Sequence, residues 1–145
     1  MSFSERKNLA QCFIAELSSE IKIPPNIHEH LKPLGKNLVA VIPGDSKKLS
    51  FFLTDCSRVL FVKLLLDKSS LNESFFTSLR KTLQELKMVN LFSTGICFKD
   101  DICVWEGVFE FDDNSNLSII REKLSHVKHV NKANFEEIEL NKGSN

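Results

Sequence analysis

Apolar and polar residues alternate with two different periods along the chain. Near the N-terminus, Leu9, Phe13 and Leu17 recur at four-residue intervals, which predicts an amphipathic helix over about residues 5–20. A longer stripe of the same kind predicts a second helix over about residues 71–87. Both patterns are typical of helices that bury one face against a core.

Other segments of the chain carry strand patterns. We predict three consecutive strands over 37–42, 49–54 and 59–66, joined by turns into an antiparallel meander. The third strand is apolar on both faces, which is typical of a central strand covered on two sides. Residues 90–111 return to the two-residue period and predict a hairpin, whereas 23–36 predicts a connector without regular structure.

A narrow apolar stripe predicts the last helix, in which Leu117, Ile120 and Leu124 recur at helical intervals. Such a stripe is typical of a helix docked on its own sheet, and it is also typical of a short seam between two chains. Trp105, the single tryptophan, presents a similar choice between core packing and an exposed interface anchor. These four residues are therefore our candidates for self-association or partner binding, and core packing is the alternative for each.

The predicted order of elements is helix, three strands, helix, two strands, helix. We expect one α+β domain over residues 1–130, built on a mainly antiparallel sheet of about five strands, and a polar C-terminal tail over 131–145. The chain has 145 residues, 42% of them hydrophobic and 26% charged, which suits a single folded domain. No apolar run approaches bilayer length and the first residues lack a signal peptide, so we expect a nuclear or cytoplasmic protein without membrane contact.

Charge gives little indication of a nucleic-acid partner, because 19 basic residues balance 19 acidic residues. The only stretch that leans positive contains Lys123, Lys128 and Lys132. These lysines are candidates for phosphate contacts, and binding through them would fall steeply with salt concentration. A solvated helix face is the simpler interpretation of the same residues.

The sequence contains no phosphate-binding glycine loop, dinucleotide fingerprint, zinc-protease motif or nucleophile elbow. The pairs His28 with His30 and His126 with His129 have no companion ligands at a convincing spacing, so we predict no metal and no cofactor. The four cysteines form no C-x-x-C pair, and we expect them to be reduced. We therefore predict a protein that is not an enzyme.

Residues 53–60, with the sequence LTDCSRVL, resemble a segment of the head domains of the XLF and PAXX scaffolds of DNA end joining. In that family a strand ends in an aliphatic residue, Thr or Ser, and Asp, and Thr54 and Asp55 match this pattern here. A tryptophan often opens the family's next strand, and in this sequence that position is occupied by Val59 or Leu60 instead. A Thr-Asp turn also forms without common ancestry, because Asp caps turns through its own backbone.

The resemblance implies a non-catalytic scaffold in DNA double-strand break repair that dimerises through about residues 116–130. The superfamily also includes the ligase-bound end-joining scaffold and the centriolar cartwheel protein. Without the resemblance, the same features predict an adaptor subunit of another assembly, such as a kinetochore or trafficking complex, whose protein partner binds an exposed strand edge or helix. A small-molecule-binding or catalytic domain that uses His28, His30 or Cys97 is the alternative from another functional class.

Overall fold

The computed structural model describes residues 20–44, 47–67, 70–98 and 102–144. The helix predicted over residues 5–20 lies outside them except for its last residue. The described helices are α1 (Pro25–Leu31), α2 (Glu73–Glu85) and α3 (Leu117–Ser125), and the strands are β1 (Asn37–Val41), β2 (Ser50–Thr54), β3 (Arg58–Leu66), β4 (Asn90–Cys97), β5 (Cys103–Phe111) and β6 (Val130–Glu139). The α+β class is confirmed, with six strands in this part of the chain rather than five.

The strands form two separate antiparallel sheets. β1 and β2 make a two-stranded hairpin, and the other four strands form a sheet in the order β4-β5-β3-β6. The order strand, helix, strand, strand, helix, strand from β3 to β6 is the ferredoxin-like arrangement. The predicted three-stranded meander is therefore wrong, because β3 pairs with β5 and β6 rather than with β2.

Strand β6 corrects the prediction of a polar tail over residues 131–145, since residues 131–139 belong to this strand. It pairs along β3, and Ala133 and Phe135 pack against the core, while the charged residues Lys132, Glu137 and Glu139 of the same strand are exposed. Polar residues dominate the strand, and this concealed its two-residue period. The connector predicted over 23–36 likewise contains the short helix α1, which begins at Pro25.

The core lies between the four-stranded sheet and the helices α2 and α3. Its fully buried large side chains come from two strands and both helices: Leu60, Val62, Leu64, Phe109, Phe75 and Leu124. Asparagine side chains begin both helices, because Asn72 accepts the Phe75 N–H at 3.0 Å and Asn116 accepts the Ile119 N–H at 3.3 Å. No described helix has the length and apolar character needed to cross a bilayer.

Trp105 and Phe109 lie in this core on the same face of β5, with ring centroids 6.1 Å apart. Gly107 stands between them in the strand, and a Cβ atom there would come within 2.4 Å of the Trp105 ring. The absence of a side chain at this position therefore makes room for the indole. Trp105 is 3% exposed, which places it among the core residues rather than on a surface.

The hairpin of β4 and β5 contains a disulfide between Cys97 and Cys103, so the prediction that all four cysteines are reduced is wrong for these two. The antiparallel register places the two residues directly opposite each other, although five residues separate them along the chain. Their pairing depends on strand register, which a search for C-x-x-C spacing does not detect.

We predict that Leu124→Asp destabilises the fold by about 4 kcal/mol or more, because it places a charge in a fully buried position. Ile119→Asp, on the same helix but 45% exposed, is the matched control and should change stability by less than about 1 kcal/mol. Urea unfolding followed by circular dichroism measures both effects. A folded Leu124→Asp protein that has only lost self-association would contradict the core assignment.

Candidate cleft between the hairpin and the open sheet face

The helices α2 and α3 pack on one face of the four-stranded sheet, and we call the opposite face, which neither of these two helices covers, the helix-free face. Because side chains alternate along each strand, this helix-free face displays Phe61 and Lys63 of β3, Glu106 and Val108 of β5, and Phe92 of β4. Several apolar side chains on this face are nonetheless buried: Val59, Val104 and Val108 are 7%, 9% and 3% exposed. The β1–β2 hairpin contacts this face at Phe92 and Glu110.

An aromatic contact and a hydrogen bond attach the hairpin to the sheet. The rings of Phe52 in β2 and Phe92 in β4 lie 5.9 Å apart between centroids. The buried Thr54 hydroxyl donates to Glu110 Oε1 at 2.8 Å and accepts the Cys56 N–H at 3.1 Å. Both contacts are made by β2, and neither involves β1.

The turn between β2 and β3 is held by further hydrogen bonds. Asp55 Oδ1 accepts the Lys36 N–H at 3.2 Å, and the Asn37 side-chain amide donates to the Cys56 carbonyl at 2.9 Å. Gly35 lies against β2 so closely that a Cβ atom would meet the Thr54 nitrogen at 2.8 Å. The Thr54-Asp55 pair, which carries the resemblance to end-joining scaffolds, therefore has a local structural role in this protein.

Between the hairpin and the sheet lies an open cleft of about 1250 Å³, which we call the sheet cleft. Strand β1 forms one wall, the helix-free face forms the floor, and residues 138–144 also contribute to the lining. The floor is mainly apolar, with Phe61, Ile96 and Val108 among its side chains. The cleft runs beside the whole of β1, a strand of five residues, or roughly 17 Å.

One ion pair interrupts the apolar floor. Lys63 Nζ and Glu106 Oε1 are 3.9 Å apart on directly opposed positions of β3 and β5. Their side chains are 43% and 33% exposed, so both remain accessible from the cleft. The pair adds no net charge to the floor and contributes at most about 1 kcal/mol to stability, since solvent screens it.

The lining residues do not form a catalytic set. No histidine lines the sheet cleft, and His28 and His30 lie exposed on α1 instead. Cys97, which the small-molecule-binding or catalytic alternative would use, is disulfide-bonded. The described part of the chain holds no cluster of three or more metal-ligating side chains. The cleft offers a mainly apolar surface that is suited to binding, and its lining also contains the charged residues Arg58, Lys63, Glu106, Glu139 and Lys142.

The candidates for self-association lie inside the protein. Trp105, Ile120 and Leu124 are buried in the core, and Leu117 is partly buried against it. These side chains hold the helix α3 on its own sheet, which is the docked-helix alternative of the sequence analysis. They leave no continuous exposed stripe for a second chain.

The three candidate lysines are not brought together by the fold. Lys123 lies on α3 with its Nζ 3.7 Å from Glu85 Oε2, whereas Lys132 lies on β6 opposite Leu65, on the helix-free face. Lys128 is exposed in the turn between α3 and β6. Phosphate contacts through these residues would therefore involve two different faces of the protein.

Sequence reasoning did not find the sheet cleft. Its floor is made of alternate residues in three strands, so no contiguous motif exists that could mark it. The one useful indication was the apolar character of β3 on both faces, which predicted a cover on each side of the sheet. The helices α2 and α3 cover one side, and the hairpin contacts the other.

No protein-family model matches the chain, and no curated protein matches it significantly. Among solved structures, the C-terminal domain of the MgtC protein from Mycobacterium tuberculosis is similar, with a TM-score of 0.51 at 7% identity, over 65% of this chain and 100% of that one. This similarity supports the fold alone.

Two further similarities are too weak to support any argument. The protein TM1266 from Thermotoga maritima gives a TM-score of 0.40 at 12% identity, over 57% of this chain and 96% of that one. A formyltetrahydrofolate deformylase from Pseudomonas putida gives 0.36 at 13% identity, over 55% and 27%. None of the three is a head domain of an end-joining scaffold, and the resemblance to that family stays a prediction.

We predict that Thr54→Val lowers the free energy of unfolding by about 1 to 3 kcal/mol, because it removes the bond to Glu110 and leaves the Cys56 N–H without its acceptor. Thr94→Val, at an exposed position of β4, is the control and should have little effect. Urea unfolding measures stability, and hydrogen exchange of the β2 amides reports the attachment of the hairpin. Equal stabilities of the two variants would show that the hairpin does not depend on this bond.

Proposed function

We propose that this protein is a non-catalytic adaptor that binds an extended apolar segment of a partner protein in the sheet cleft. The observation that carries the proposal is the open, mainly apolar cleft of about 1250 Å³ between the hairpin and the helix-free face. The volume exceeds the roughly 300 to 1,000 Å³ of typical small-molecule pockets, and the space is open rather than enclosed. An extended segment fits this shape better than a compact ligand.

The walls of the cleft also suit an extended segment. Strand β1 has no charged residue and runs along the cleft, so a segment beside it would meet apolar side chains and backbone groups. Lys63 and Glu106 provide one donor and one acceptor at the floor, which would fix the register of a polar group in the bound segment. The chemistry required of the partner is therefore an apolar strand with little net charge.

The host assembly is proposed on the sequence alone. The resemblance of residues 53–60 to the XLF and PAXX heads favours DNA double-strand break repair in the nucleus. Without that resemblance, the same cleft would serve a kinetochore or trafficking adaptor equally well. The proposed adaptor role rests on the cleft and does not require either assignment.

We predict that Lys63→Glu reduces recovery of stoichiometric partners by about tenfold or more, because two adjacent carboxylates then replace a neutral ion pair on an apolar floor. Lys81→Glu, on an exposed position of α2, makes the same charge change outside the cleft and serves as the control. The measurement is affinity purification of the tagged protein from its own cells, with quantitative mass spectrometry of the recovered proteins.

The identity of the recovered partners then separates the alternatives. End-joining ligase or Ku components would support the repair assignment, and a different fixed complex would retain the adaptor role but replace the family. Equal recovery by both variants would exclude the sheet cleft as the binding site. Recovery of the protein alone would favour the small-molecule alternative.

A further inference from the structure

The four-stranded sheet ends in two edge strands, β4 and β6, which differ sharply in charge. Strand β6 contains four charged residues, Lys132, Glu136, Glu137 and Glu139. Strand β4, with the sequence NLFSTGIC, contains no charged residue and no proline. Proteins commonly protect a sheet edge with such residues, because unpaired N–H and C=O groups otherwise recruit another strand. Strand β4 lacks that protection.

Uncovered apolar side chains flank β4 on the side of the helix-free face. Ile96 and Phe98, at the end of the strand, are 56% and 53% exposed, and Ile102 across the hairpin is 51% exposed. Three large exposed hydrophobic side chains therefore lie at one end of this edge. Scattered exposed hydrophobic residues are normal, but a group beside an unprotected strand edge indicates an interface.

The helix side of β4 is also incompletely covered. A groove of about 350 Å³ lies between α2 and β4, lined by Phe76, Leu83 and Met88 among others. Phe76, a large apolar residue on α2, is 39% exposed. The same edge thus has available apolar surface both above and below the plane of the sheet.

The edge is held in an extended conformation before any partner arrives. The Cys97–Cys103 disulfide joins the ends of β4 and β5, and the Phe98 N–H donates to the Ile102 carbonyl at 2.9 Å just beyond it. The irregularity in the register lies at the opposite end, between Asn90 and Phe92. A strand that is already ordered loses little conformational entropy when it accepts a neighbour.

We infer that β4 pairs antiparallel with β4 of a second copy of this chain and forms a two-fold symmetric dimer with a continuous eight-stranded sheet. A two-fold axis pairs the strand with itself, so each neutral residue meets a neutral residue in any register. A charged partner strand would instead place its charges beside Ile96 and Phe98. The second copy supplies a strand of matching length and chemistry.

Dimerisation through β4 would change the surroundings of the sheet cleft. The inference of a dimer does not rest on the binding function proposed for that cleft. A two-fold axis perpendicular to the sheet leaves both helix-free faces on the same side. With the two-fold axis near Thr94, antiparallel pairing would place Ile96, which lines the cleft at the β4 edge, beside Phe92 of the second copy. The two clefts would lie on the same side of the joined sheet, and the β4 side chains of each copy would adjoin the cleft of the other.

Thr94→Lys tests the dimer, because Thr94 is exposed near the middle of β4 and the substitution brings two lysines close to the two-fold axis. Sedimentation equilibrium should give twice the chain mass for the wild type, and at least a tenfold weaker association for Thr94→Lys. Asn131→Lys, exposed on the opposite edge, should remain dimeric. Thermal unfolding checks that both variants are folded.

Hydrogen exchange of the β4 amides distinguishes the other occupants of this edge. Protection that rises with protein concentration in the wild type and is lost in Thr94→Lys supports pairing between copies. A monomer with protected β4 amides would overturn the inference in favour of a covering segment of the same chain. A monomer with unprotected amides, or a Thr94→Lys protein that remains dimeric, would overturn it as well.

Discussion

Strand β3 is hydrogen-bonded on both edges and packed on both faces, and the positions of most other elements follow from this enclosure. Its residues pair with β5 on one side and with β6 on the other. Leu60, Val62 and Leu64 face the helices without exposure to solvent, while Val59 is buried on the opposite face. A nine-residue strand that is apolar on both faces requires cover in all four directions, since exposed backbone groups and apolar surface are both costly.

The two faces of the sheet satisfy this requirement to different degrees. The helices α2 and α3 contribute Phe75, Leu79 and Leu124 to a continuous core on one side. The hairpin on the other side contributes a small number of contacts near β2 and leaves a cleft near β1. The closed face supplies most of the buried core, which allows the open face to retain accessible apolar surface.

The sequence predicted most local elements but not their arrangement. Strong periodic patterns placed α2, β3 and the β4–β5 hairpin correctly, because each has an apolar face of clear period. The pairing of β3 with β6 was missed, since β6 alternates partly buried residues such as Phe135 with charged residues and resembles a polar tail. The cleft could not be predicted because its floor depends on the order of the strands in the sheet. Leu124 could not be assigned to the core or to a contact between two chains, because both environments favour the same helical spacing of apolar residues.

The burial of Trp105 has a spectroscopic consequence. The chain contains one tryptophan and no tyrosine, so a single indole accounts for its fluorescence under excitation at long ultraviolet wavelengths. That indole lies against Phe109 and beside the space that Gly107 leaves, in the layer between sheet and helices. Its emission therefore monitors the solvation of one defined point in the core, and the protein carries an intrinsic optical probe that needs no label.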